Sequence, residues 1–231
     1  MRVLIVENTA ITHHGQVGVA LHERAALVDI LRPFRDEALP LRPMADALVV
    51  FGGEQSALDD ESHPYLPQLA DLMAAYAAED RPVLGICLGS QLLARAFGAE
   101  NRLGQTQEFG WCEVALTGAG QADPVTGALP GRFPIFQWHS DTFTLPPGAV
   151  HLAGSDVAPV QAFRIGRATY GTQFHFEANR AVVADWTRTF PALTERLRPG
   201  WADQHPEEAL TRGTTADALG LTLARNWVSL I

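Results

Sequence analysis

The sequence predicts an α/β fold with a largely parallel central sheet, helices on both faces and antiparallel additions. Three observations predict it. The first half alternates short, wholly apolar runs with segments of helical periodicity, the β–α–β–α–β–α pattern of parallel sheets. Those runs are apolar at successive positions rather than at every second one, as strands buried on both faces require. The second half then changes to short strand-like runs separated by Gly/Pro-rich turns, which read as antiparallel strands joining the same sheet.

Taken in order, Val3 to Val6 is an aliphatic run that reads as the first buried strand. Residues 17–31 follow at helical spacing, with Leu21, Ala25, Val28 and Leu31 on one face and Pro33 marking the exit. Ala47 to Phe51 is a second strand, ended by Gly52 and Gly53. Tyr65 to Ala78 reads as a helix with Leu69, Leu72, Met73 and Tyr76 as its buried stripe. Pro82 to Cys87 is the third strand, and Ser90 to Phe97 a helix stopped at Gly98. Residues 111–116, 133–138, 149–153, 160–165 and 168–174 are the short strands of the second half. Helix returns over 178–197, then over 206–219 and 221–230, joined at Gly220. With no repeat, low-complexity tract or linker, residues 1–231 read as one domain, whose terminal helices span about 178–231.

Composition narrows the function classes. Of 231 residues 47% are hydrophobic and 19% charged, ordinary for a packed protein. A net charge of −9 without any basic run argues against nucleic acid or an anionic membrane surface as partner. The opening apolar run is too short for a signal-peptide core, and no apolar stretch reaches the ~20 residues that span a bilayer. A cytoplasmic location is therefore expected. The two cysteines, Cys87 and Cys112, form neither a disulfide framework nor a CxxC pair. The eight histidines show no HExxH or Cys/His ligand spacing, so no metal and no cofactor is expected.

Three segments carry chemistry. In Gly85-Ile86-Cys87-Leu88-Gly89 a cysteine sits between strand and helix, with a glycine two residues to either side, the spacing of a nucleophile elbow. The sharp turn needs small neighbours, and the helix N-terminus beyond favours negative charge on the sulfur. The backbone N–H of Leu88 is then free for an oxyanion. A buried cysteine beside a glycine turn is the competing reading. In Phe174-His175-Phe176-Glu177, an extended chain would point His175 and Glu177 to the same side, pairing an imidazole with an orienting carboxylate. A His and a Glu on a solvated strand end is the alternative. In Phe51-Gly52-Gly53-Glu54, a double glycine after a strand allows close backbone approach to a ligand, or is an ordinary βα turn. Cys112 lacks an elbow and reads as a core thiol. His13 and His14 lie in the loop after the first strand and read as solvated, and Trp138, Trp186, Trp201 and Trp227 as packing residues.

The order GGE, GICLGSQ, FHFE resembles the triad-type class I glutamine amidotransferases over most of the chain, from Val3 to about Ala184. Segments 108–111 (EFGW), 137–141 (QWHSD) and 173–177 (QFHFE) are similar to stand-alone proteins related to the amidotransferase domain of GMP synthase. The resemblance implies a flavodoxin-like three-layer fold and a Cys87–His175–Glu177 triad that cleaves the γ-glutamyl amide of glutamine through a thioester. It implies an oxyanion hole from the N–H groups of Gly53 and Leu88, and glutamine binding by Gln91. It also implies backbone contacts to the substrate from Gly110 and Trp111, with His139 and Ser140 near the pocket. Two positions depart from the family pattern: Glu54 and Phe176 stand where many relatives have proline.

No P-loop or synthetase domain is seen in the sequence, which leaves three outcomes open. The chain hydrolyses glutamine, acts on γ-glutamyl peptides or conjugates, or donates ammonia to a separate synthetase partner. A cysteine α/β-hydrolase of the dienelactone hydrolase type is the enzyme rival. Its order of nucleophile, acid, histidine differs from the order here, where the acid follows the histidine.

Overall fold

The computed structural model describes residues 1–231. The first half comprises β1 (Arg2–Val6), α1 (Gly15–Glu23), β2 (Leu27–Leu31), β3 (Ala47–Val50), α2 (Tyr65–Ala78), β4 (Val83–Ile86) and α3 (Leu88–Ala96). Then come β5 (Asn101–Arg102), β6 (Glu108–Leu116), α4 (Gly118–Gln121), β7 (Arg132–His139), β8 (Thr142–Phe143), β9 (Val150–Gly154), β10 (Ala162–Ile165) and β11 (Thr169–Thr172). The chain closes with α5 (Arg180–Thr189), α6 (Pro191–Leu197), α7 (Trp201–Glu208) and α8 (Thr214–Val228).

These strands form a nine-stranded sheet in the order β2-β1-β3-β4-β11-β10-β9-β6-β7, with β5 and β8 as a separate pair. From β2 to β11 every neighbouring pair is parallel, and from β11 to β7 every pair is antiparallel. Side-chain alternation explains why the parallel strands read as continuous apolar runs. Val3, Ile5, Ala47, Val49, Leu84 and Ile86 face one core with α1, α5 and α8, whereas Leu4, Val6, Leu48, Val50 and Val83 face the other with α2 and α3. Helices on both faces of an α/β sheet are thus established, and no helix is long and apolar enough to cross a membrane.

Three expected elements differ. The helix expected over 17–31 ends at Glu23, Ala25 turns with φ +50°, and Leu27–Leu31 becomes β2, parallel to β1. The aliphatic run fits both periods, and pairing along β1, aided by Arg2 and Asp29 at 2.7 Å, decides for strand. The expected helix 178–197 breaks at Phe190, because the residue before Pro191 is disfavoured in helical conformation (φ −124°, ψ 51°). Gly220 is no joint. Helix α8 runs straight through it, and the irregularity is a π-helical turn over Ala209–Gly213.

The reason for glycine at 220 is closeness. A Cβ there would lie 2.2 Å from the carbonyl oxygen of Phe176. Helix α8 therefore packs directly on the backbone between His175 and Glu177. Beside α8, the N–H of Gln16, at the start of α1, donates to the Glu177 carbonyl at 2.9 Å. Two helices thus clamp one short segment.

Candidate active site

The parallel strands β1, β3, β4 and β11 all point their carboxyl ends at one cavity of about 700 Å³. Crevices beyond strand carboxyl ends, where strand order reverses, are the usual ligand sites of open α/β sheets. Here the reversal falls at β1, whose neighbours are β2 and β3.

Cys87 enters that cavity from the turn between β4 and α3. Its backbone is at φ +53°, ψ −111°, a strained conformation for a residue with a side chain. The surroundings hold it there. Its N–H donates to the Thr172 carbonyl at 2.8 Å, and its own carbonyl accepts from the Ser90 hydroxyl at 2.7 Å and the Gln91 N–H at 3.0 Å. The flanking glycines are spatial necessities. A Cβ on Gly85 would lie 2.4 Å from the Gly89 carbonyl oxygen, and one on Gly89 would lie 2.1 Å from that of Val50.

His175 and Glu177 meet Cys87 at the same point. His175 Nδ1 lies 2.7 Å from Glu177 Oε1. A Cβ on Gly52 would sit 3.2 Å from His175 Cε1 and 3.9 Å from Cys87 Sγ, so the ring and the sulfur share one small space. The two residues do not converge through strand alternation. Strand β11 ends at Thr172, and His175 opens a tight turn closed by the Ala178 N–H to its carbonyl at 3.3 Å. Burial alone would keep the imidazole neutral, but the charges of Glu177 and Cys87 outweigh it and push its pKa up to about 10. Glu177 makes this contact with Phe176, not proline, between the pair, and Phe176 is packed in the core at 2% exposure.

Other expected residues divide. Gly53, Leu88, Gln91, His139 and Ser140 all line the cavity. Gln91 is buried, with its amide nitrogen 3.2 Å from Gln173 Oε1. His139 lies at the end of β7, with Nδ1 at 3.0 Å from the Asp141 carbonyl and Nε2 at 3.2 Å from Glu108. Gly110 and Trp111 are not among the residues that line the cavity. Gly110, with φ +98°, lies under Arg198 and Trp201, and Trp111 is a buried core residue stacked near Trp201 and His205. Cys112 is on the same strand, and burial, then the charge of Glu108, pushes its thiol up to about 11.

Part of the wall was not legible in the sequence. His13 is no freely solvated loop residue. It lines the cavity and places Nε2 at 2.9 Å from Asp185 Oδ2 of α5. His14 is held by Glu7 at 2.9 Å and stacks on Phe51. Trp138 and Trp186 pack, as expected, but also form the cavity surface, together with Phe190, Leu193, Arg196 and Leu197. Only the fold could reveal this, since it brings residues of α5 and α6 to the cavity that Cys87 enters. No group of three or more His, Cys, Asp or Glu side chains is arranged to hold a metal.

Fold and pocket define a class: an α/β protein carrying a cysteine on a strand-to-helix elbow beside a buried His–Glu pair. The family model described as glutamine amidotransferase class-I matches residues 17–182, and the chain belongs to that family. The chain is 34% identical to the glutamine amidotransferase-like protein YfeJ of Salmonella typhimurium, over 77% of this chain and 76% of that protein. It is 35% identical to one of the subunits of the glutamine-hydrolysing GMP synthase of Haloarcula marismortui, over 72% of this chain and 83% of that protein. Among solved structures, a glutamine amidotransferase from Thermotoga maritima superposes with a TM-score of 0.87 at 27% identity, covering 100% of this chain and 97% of that one.

Proposed function

We propose that the chain is a cysteine-dependent amidase that cleaves the γ-glutamyl amide of glutamine. The observation that carries the reading is the strained Cys87 at φ +53° sharing one space with a His175 ring that Glu177 holds at 2.7 Å. In this reading His175 takes the thiol proton and is held as imidazolium by Glu177. The Cys87 sulfur adds to the γ-carbonyl carbon, and the resulting oxyanion is received by the N–H groups of Gly53 and Leu88. The C–N bond breaks and ammonia departs with the proton from His175. Water, deprotonated by His175, then hydrolyses the thioester to glutamate and restores the thiol. Gln91 and Ser140 are assigned to holding the amino-acid end of the substrate.

A second reading is favoured by the likeness to a protein named as one component of GMP synthase. The same chemistry would then deliver ammonia to a separate synthetase partner, with little turnover in isolation. One experiment separates the two. The isolated chain is assayed for glutamate release from glutamine and, in parallel, treated with an electrophilic glutamine analogue. Turnover supports the autonomous enzyme. Labelling at Cys87 without turnover supports the ammonia donor. Neither turnover nor labelling would refute both.

A further inference from the structure

We infer that the cavity contains a leaving-group subsite for a bulky amine bearing a carboxylate, extending the chemistry to γ-glutamyl amides of aromatic or large aliphatic amino acids. This subsite rests on the γ-glutamyl reading above.

His175 sets the direction. The departing amine takes its proton from His175, so it must lie on the His175 side of the Cys87 sulfur. On that side Trp186 meets the imidazole edge-on, with centroids 5.4 Å apart. Trp138 lies 5.7 Å from Trp186 and 5.9 Å from Phe190, both edge-to-face. These three rings line the cavity, and Leu193 and Leu197 extend the apolar surface. Ammonia has no apolar surface to set against such a wall, whereas an aromatic or branched side chain has. The volume agrees, since about 700 Å³ is the scale of sites that enclose drug-sized ligands, far beyond what glutamine fills.

Charge supplies the second half. Arg196 is the only basic side chain other than histidine that lines the cavity, and it makes no ion pair or side-chain hydrogen bond. On α6, Leu193 is the neighbour of Arg196 at a spacing of three and of Leu197 at a spacing of four, and all three line the cavity, so apolar grip and positive charge are presented together. A guanidinium beside an apolar wall matches an α-carboxylate attached to a bulky side chain. The balance is unchanged from glutamine. Cys87 sulfur bonds to the γ-carbonyl carbon, the C–N bond breaks, the amino acid leaves with the His175 proton, and water converts the thioester to glutamate.

The test uses the purified chain and four substrates: glutamine, γ-glutamylglycine, γ-glutamylphenylalanine and γ-glutamylphenethylamide. The last keeps the ring and lacks the carboxylate. The expected kcat/KM for γ-glutamylphenylalanine exceeds those for γ-glutamylglycine and γ-glutamylphenethylamide by about tenfold each, mostly in KM. Arg196→Gln, at an exposed position, should abolish the preference over the phenethylamide, and Phe190→Ala should reduce the preference over glycine. If glutamine is hydrolysed but γ-glutamylphenylalanine is no better than γ-glutamylglycine, the subsite is overturned while the glutaminase reading stands. If none of the four is hydrolysed, the isolated chain is no autonomous γ-glutamyl hydrolase, and the subsite is overturned with that reading.

Discussion

Glu177 Oε1 stands 2.7 Å from Nδ1 of His175, which leaves the other ring nitrogen to Cys87. A neutral amide in place of that carboxylate would keep the shape and lose the charge that stabilises the imidazolium. Glu177→Gln should therefore lower kcat by about 10³–10⁴-fold with little change in KM, by analogy with removing the acid of a hydrolase triad. Steady-state kinetics on glutamine check this, and wild-type turnover in the variant would show that Glu177 has no part in the chemistry.

The same pair predicts a pH profile. Burial works against the charged ring, but Glu177 and Cys87 raise the His175 pKa to about 10. A raised pKa means that His175 keeps its proton at neutral pH and loses it only as pH rises towards that value. The general acid for the leaving amine is then gone, so kcat/KM should fall on the alkaline side near there. In Glu177→Gln the alkaline fall should move to lower pH, and an unmoved limb would contradict the pairing.

The two thiols should behave differently. Cys112 is pushed up to about 11 by burial and by Glu108, so little thiolate exists there near neutrality. Iodoacetamide at neutral pH should modify Cys87 first, as read by peptide mass mapping, and Cys112→Ala should keep full activity. Preferential labelling of Cys112 would count against Cys87 as the reactive thiol.

The sequence made the elbow legible because Gly85, Cys87 and Gly89 solve a local steric problem, and local problems leave local marks. The parallel strands were legible because both faces of the sheet are buried. Strand β2 was not, since at a sheet edge Leu27 is 60% exposed and its aliphatic run fits a helix equally well. The turn that joins His175 to Glu177 was hidden for a different reason. Its shape is imposed by α1 and α8 from distant parts of the chain. A motif gives the identity of residues but not their packing, so the seat of Gly110 and Trp111 beneath α7 was not legible, and Trp186 and Arg196 reach the cavity only through tertiary structure.

That clamp gives a stability prediction. In an exposed helix Gly→Ala would gain about 1 kcal/mol of helix propensity. At Gly220 the new Cβ would stand 2.2 Å from the Phe176 carbonyl oxygen, and overpacking of that kind typically costs about 1–3 kcal/mol. The clash should win. Gly220→Ala is expected to lower Tm and, by shifting the turn that carries His175 and Glu177, to lower kcat as well. Thermal melts and kinetics check both, and a raised Tm would mean that α8 is less tightly seated.

Cys87 as the nucleophile is the point on which all the chemistry turns, and glutamate release from glutamine by the wild-type chain and by Cys87→Ala tests it most directly. The prediction is steady release by the wild type and a loss on the order of 10⁶-fold in Cys87→Ala, the scale seen when a triad nucleophile is removed, with the variant still folded by circular dichroism. Comparable release by the two proteins would contradict the role of Cys87.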